Sequence, residues 1–140
     1  MEGLQGARIL VADDDDVCRK IASFQLQRAG CKVVAVTNGQ EAWSLLQYTE
    51  FDCLVTDGYM PILTGRELCR MVRSDARLIK MPIVMVSSTC AEVDPTLVRE
   101  GMAPIRVLPK PCSPRELLRT IRDCVQVNAA KASRSGGAET

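Results

Sequence analysis

Five short apolar runs, separated by stretches of helical periodicity, constrain this chain more than any other feature. They cover residues 9–12, 33–36, 52–56, 82–86 and 105–108. Runs this solid fit strands buried on both faces better than strands with one wet side. The intervening segments have a different period. Val17, Ile21 and Phe24 recur at spacings of four and three, the apolar side of a helix that Gly30 stops. Asn38-Gly39-Gln40-Glu41 opens a second helix with Ala42, Leu45 and Leu46 on its apolar side. Thr64-Gly65-Arg66-Glu67 has the capping-box pattern and precedes Leu68, Met71 and Val72. Asp94-Pro95 supplies a cap and first position for a short helix running to Glu100. Ser113-Pro114-Arg115-Glu116 opens the last helix, which carries Leu117, Leu118, Ile121 and Val125.

Strands alternating with helices imply a parallel sheet covered on both faces, and right-handed crossovers make it a three-layer sandwich. The expected fold is therefore a single α/β unit of five βα repeats with the flavodoxin-like strand order 2-1-3-4-5. The predicted boundaries are an N-terminal tail over 1–6, the domain over 7–126, and a disordered polar tail over 127–140. No output domain is read after residue 126, so the chain is expected to be either stand-alone or cut from a larger protein.

Composition removes several classes of function. The formal net charge is +1, so nothing global attracts nucleic acid or an anionic membrane. Arg66, Arg70, Arg73 and Arg77 read as a solvated helix face rather than a DNA-reading one. No apolar stretch approaches a membrane span, and the first residues lack a secretory pattern. The seven cysteines are never paired as Cys-x-x-Cys, and they read as small buried hydrophobes of a reducing cytoplasm. Histidine is absent, which takes away the commonest metal ligand and general base.

What remains is the polar ending of four runs. Residues 9–12 run into Asp13-Asp14, 52–56 into Asp57, 82–86 into Ser87, and 105–108 into Pro109-Lys110. Taken singly, each has a bland alternative. The run Asp13 to Asp16 also suits a helix cap, Ser87 has neighbours in Ser88 and Thr89, and Lys110 lies between two prolines. In the expected strand order, however, they share the sheet edge where open α/β folds place their chemistry. Three carboxylates there repel one another and call for a hard divalent cation. A few carboxylates completed by water and phosphate oxygen suit Mg²⁺. An ammonium and a hydroxyl beside them complete a phosphoryl site with a carboxylate as nucleophile.

These same residues carry a resemblance. Ile9-Leu10-Val11-Ala12-Asp13-Asp14, Asp57-Gly58-Tyr59-Met60-Pro61 with Thr64-Gly65, Pro82-Ile83-Val84-Met85-Val86-Ser87 and Leu108-Pro109-Lys110-Pro111 are similar to the motifs of two-component response regulator receiver domains. The similarity covers about residues 7–126. It implies that Asp57 is the phosphoacceptor and that a histidine kinase or histidine phosphotransfer protein is the donor. It also implies Mg²⁺ held by Asp14, Asp57 and the backbone carbonyl of Tyr59, with Asp13 acting through water. Ser87 would bond the phosphoryl group, Lys110 would pair with it, and the Lys110–Pro111 bond would be cis. Slow self-dephosphorylation, a cytoplasmic location and, in some members, homodimerisation through the fourth and fifth units follow from the same likeness.

Two departures qualify it. The family usually carries an aromatic three residues before the lysine, where this chain has Val107. The segment Gly101-Met102-Ala103-Pro104-Ile105-Arg106 is also unusual. Val107 keeps alive a non-phosphorylated interaction module that retains only the fold. An aspartyl phosphatase is a third class, but it wants a second acid two residues after the nucleophile, where this chain has Tyr59.

Overall fold

The computed structural model describes residues 2–88 and 102–139, with side chains described through Gln126. Five strands lie in one sheet: β1 Arg8–Ala12, β2 Lys32–Val36, β3 Cys53–Asp57, β4 Ile83–Ser87 and β5 Ile105–Pro109. All pair in parallel, in the order β2-β1-β3-β4-β5. The flavodoxin-like expectation is met, and the switch point falls between β1 and β3. The strands β3, β4 and β5 each end one residue later than their apolar runs suggest. Asp57 and Ser87 are thus the last residues of β3 and β4 rather than the first residues beyond them.

Four helices are described: α1 Asp16–Arg28, α2 Gly39–Leu46, α3 Gly65–Ser74 and α4 Pro114–Glu139. The short helix expected over 94–100 lies outside the described residues. Local chemistry sets the starts of these helices. Asp15 caps α1 by accepting from the Cys18 N–H, and Asn38 caps α2 by accepting from Glu41. Thr64 and Glu67 close a reciprocal capping box on α3. Ser113 Oγ accepts from the Glu116 N–H at 3.1 Å ahead of α4.

The pleat divides the core into two layers, because successive side chains of a strand face opposite ways. Leu10, Leu54, Ile83 and Met85 join Ala42, Leu46, Leu68 and Val72 on the α2/α3 side. Ile9, Val11, Val55 and Val84 join Leu26, Leu117, Ile121 and Cys124 on the α1/α4 side. Each fully buried Leu or Ile contributes roughly 2 kcal/mol of transfer free energy.

Two expectations need correcting. The α1 stripe of Val17, Ile21 and Phe24 is 65%, 52% and 55% exposed. Leu26 and Ala29 enter the core instead, with Ala22 packed against it, so the row 22-26-29 sets the helix's rotation. The basic face does not form as read. Arg73 is buried, and Arg77 stands beyond the end of α3. α4 is described as far as Glu139. Ala129, Ala130, Lys131 and Ala132 are strong helix formers, and they extend a helix already nucleated by packing.

The thiols follow expectation in part. Cys31, Cys53, Cys69 and Cys124 are buried, Cys18 and Cys112 are half-buried, and Cys90 lies outside the described residues.

Candidate functional site

The loops after β1 and β3 flank the switch point, so Asp13, Asp14 and Asp57 meet there. One carboxylate oxygen from each lies within 4.8 Å of the others. At that separation and an effective dielectric of about 20, each ionised pair costs roughly 3 kcal/mol. Lys110, arriving from the end of β5, meets this charge. Its Nζ stands 3.1 Å from Asp13 Oδ2 and 3.5 Å from Asp57 Oδ2.

Asp13 is held on every side. Its N–H donates to Val36 O, its Oδ1 accepts from the Asp15 N–H at 2.9 Å, and its carbonyl accepts from Arg19 Nη1 at 2.9 Å. Arg19 also pairs with Asp16. Asp14, by contrast, is exposed. A buried anchor beside a solvent-facing carboxylate leaves one side of the cluster open to a ligand.

Burial pushes the Asp57 carboxyl above its ordinary range. The Lys110 ammonium opposes that rise, the Asp13 charge adds to it, and the Tyr59 N–H, at 3.5 Å from Oδ1, opposes it weakly. Burial also works against the charge on Lys110. The hydrogen bond and charge of Asp13, together with Asp57, outweigh it and leave the ammonium's pKa raised. The lysine therefore stays charged wherever the carboxylates are ionised.

Ser87 is buried and lies against Gly58, where an added Cβ would stand 2.8 Å from its Oγ. Its carbonyl accepts from the Lys110 N–H at 2.9 Å, which ties the ends of β4 and β5. Ser88 is also described and is exposed, while Thr89 lies outside the described residues. Tyr59 is exposed at the rim. The Lys110–Pro111 peptide is cis. Val107, at the position where an aromatic is usual, is half-buried against the α2/α3 core layer. One glycine lets backbone approach the acid: a Cβ on Gly65 would come 2.0 Å from Asp57 O.

Residues 9–122 match the family described as the response regulator receiver domain. The chain belongs to the response regulator receiver family. The receiver is 37% identical over 117 residues to the transcriptional regulatory protein GltR of Pseudomonas aeruginosa, covering 84% of this chain and 48% of GltR. It is 30% identical over 129 residues to a CheY homolog of Campylobacter jejuni, covering 90% of this chain and 98% of that protein. Among solved structures, the chemotaxis response regulator CheY4 of Vibrio cholerae superposes with a TM-score of 0.75 at 29% identity, over 86% of this chain and 99% of CheY4. The chain thus spans about half the length of the transcriptional regulator it matches and nearly all of the chemotaxis proteins.

Sequence reasoning missed two arginines. Arg19 holds the Asp13 carbonyl, and its signal was legible as a basic residue one helical turn after Asp16. Arg73 donates to the carbonyls of Leu78, Met81 and Ala103. Nothing local in the sequence marks it as buried.

Proposed function

We propose that this receiver is a phosphoacceptor switch in which Asp57 takes a phosphoryl group from a phosphohistidine on a partner kinase or phosphotransfer protein. The observation that carries the reading is the convergence of three carboxylates from two strand ends on one ammonium from a third. The donor set is all-oxygen and partly solvent-facing, which fits a hard cation that keeps waters, so Asp14 and Asp57, with Asp13 and the Tyr59 carbonyl, would hold Mg²⁺. When bound, that ion supplies positive charge to the phosphoryl oxygens.

The remaining roles belong to the chain. The Asp57 carboxylate attacks phosphorus as the histidine nitrogen leaves, forming an acyl phosphate. Lys110 moves its charge from the carboxylates to the transferred group. Ser87 donates its hydroxyl to a phosphoryl oxygen. Slow hydrolysis by water resets the switch. We assign this unit to residues 7–126 and place it in the cytoplasm, where phosphohistidine donors act. Among the described residues no helix is long and apolar enough to cross a membrane.

Incubation with acetyl phosphate and Mg²⁺, read by intact mass, tests this. A gain of one phosphoryl group that disappears in Asp57→Asn is expected. No gain, or a gain retained by the variant, overturns the assignment and leaves the Val107-bearing interaction module.

A further inference from the structure

Gly58 has no backbone reason to be glycine. Its φ lies outside the left-handed region, so a side chain would fit the main chain there. Glycine at such a position costs chain entropy on folding and returns no conformational freedom that the fold uses. What it returns is space. A Cβ on Gly58 would stand 2.8 Å from Ser87 Oγ, 3.1 Å from Ser87 Cβ and 3.5 Å from Met85 Sδ. The Ser87 hydroxyl therefore rests in the place that a side chain at 58 would fill.

Strand register brings the two residues together. Thr56 pairs with Met85 and Asp57 with Val86, so the next step along β3 and β4 sets Gly58 beside Ser87. Successive side chains of a strand face opposite ways. Met85 belongs to the α2/α3 layer and Val55 to the α1/α4 layer. Ser87 follows Met85 onto the first face, and Asp57 follows Val55 onto the second. The hydroxyl is thus buried on one side of the sheet, while Asp57 meets Lys110 on the other. To bond a phosphoryl group on Asp57, Ser87 has to turn out of its place over Gly58.

The main chain on both sides is pinned. The Gly58 carbonyl accepts from the Gly65 N–H at 3.2 Å, and a Cβ on Gly65 would come 3.0 Å from Gly58 Cα. The Ser87 carbonyl accepts from the Lys110 N–H at 2.9 Å. The soft coordinate is χ1 of Ser87, with its staggered wells. A Cβ at 58 is accommodated by rotating the hydroxyl away.

We propose that Gly58 is a positioning residue of the phosphoryl switch: lacking a side chain, it lets the Ser87 hydroxyl rest off the acid cluster, and so sets how far a phosphoryl group must work to draw that hydroxyl in. The inference rests on the phosphoacceptor reading and adds a determinant of its response. Gly58→Ala expels the hydroxyl before any phosphoryl group arrives, and a ligand that needs the expelled state then finds it already populated.

Beryllofluoride with Mg²⁺ is the probe, because it binds a carboxylate with the shape and charge of a phosphoryl group and transfers nothing. Its apparent Kd on the full chain should fall about fivefold or more in Gly58→Ala. In a Ser87→Ala background the same substitution should change it by no more than about twofold. That background keeps the Cβ of residue 87 and loses only the hydroxyl, so Cβ–Cβ crowding cancels in the comparison. Three-bond Hα–Hβ couplings of Ser87 give a second reading that needs no variant. They should report one χ1 in the parent chain alone and another with beryllofluoride, and Gly58→Ala should show the second without it.

Unchanged or weaker beryllofluoride binding in Gly58→Ala overturns the proposal. An equal gain in the Ser87→Ala background does so too, as does a parent Ser87 χ1 that beryllofluoride leaves where it was. Should Gly58→Ala fail to fold, the parent couplings decide alone. In all these outcomes the parent chain still binds the probe, and the phosphoacceptor reading stands. A parent chain that neither binds beryllofluoride nor takes a phosphoryl group from acetyl phosphate overturns both.

Discussion

Asp13 and Asp14 are adjacent in sequence yet held in opposite ways, one anchored by four partners and the other open to solvent. The energetic load at the site falls on Asp57, which is half-buried beside the buried Asp13. Because its folded pKa is raised above the ordinary value of 3.8, the folded state binds this proton more readily than the unfolded chain. Its contribution to stability is fully present below that value and is lost as pH rises through the folded pKa. Asp57→Asn does not titrate, so without Mg²⁺ at neutral pH it should melt higher than the parent chain. The gap should close as the pH falls below 3.8, and calorimetric melts across that range check both signs. Arg19 acts at the same scale. Asp16 neutralises its guanidinium, so removing it disturbs the placement of Asp13 more than the local charge. Arg19→Ala should weaken Mg²⁺ binding about fivefold, the worth of one hydrogen bond. Phosphorylation should recover at saturating Mg²⁺, whereas a general loss of structure would depress it at every concentration.

Among the described connections, the β3–α3 loop is the strained one. Ile62 sits at φ 72°, the left-handed region, where a β-branched side chain crowds its own backbone, and it is 77% exposed. Glycine at 62 relieves that crowding and gives back part of the gain as chain entropy. Ile62→Gly should therefore stabilise the fold by about 1 kcal/mol, raising the urea midpoint without changing the m-value. Most elements were legible in the sequence. The strands showed because both faces of a central parallel strand are buried, and the caps of α2 and α3 showed because capping is local chemistry. The rotation of α1 was not legible. Its strongest apolar stripe, Val17, Ile21 and Phe24, and its buried row, Ala22, Leu26 and Ala29, share no residue, and only the sheet and α4 decide between them.

For the whole molecule, Arg73 joins parts that the chain order keeps apart. It fastens α3 to the turn before β4 and to Ala103 ahead of β5, with no carboxylate among its bonded partners. Burial pulls its pKa down, and three carbonyl dipoles serve in place of a counter-ion. Arg73→Met should lower stability by about 3 kcal/mol, since it leaves buried carbonyls without donors. Arg73→Lys should rescue little of this, because a point ammonium cannot span the three acceptors. Urea unfolding of both variants measures the loss.

The amino-acid order by itself determined the five strands, their parallel sheet and the set of polar residues at its edge, because period, capping and turn chemistry act over a few neighbours. It also placed Asp57 and Lys110 at strand ends. Tertiary structure decided the rest. The distances that join Asp13, Asp14, Asp57 and Lys110, the burial that raises the Asp57 pKa and the inward turn of Arg73 all depend on which surfaces meet. That is a property of packing between segments far apart in the chain, and no local run of residues encodes it.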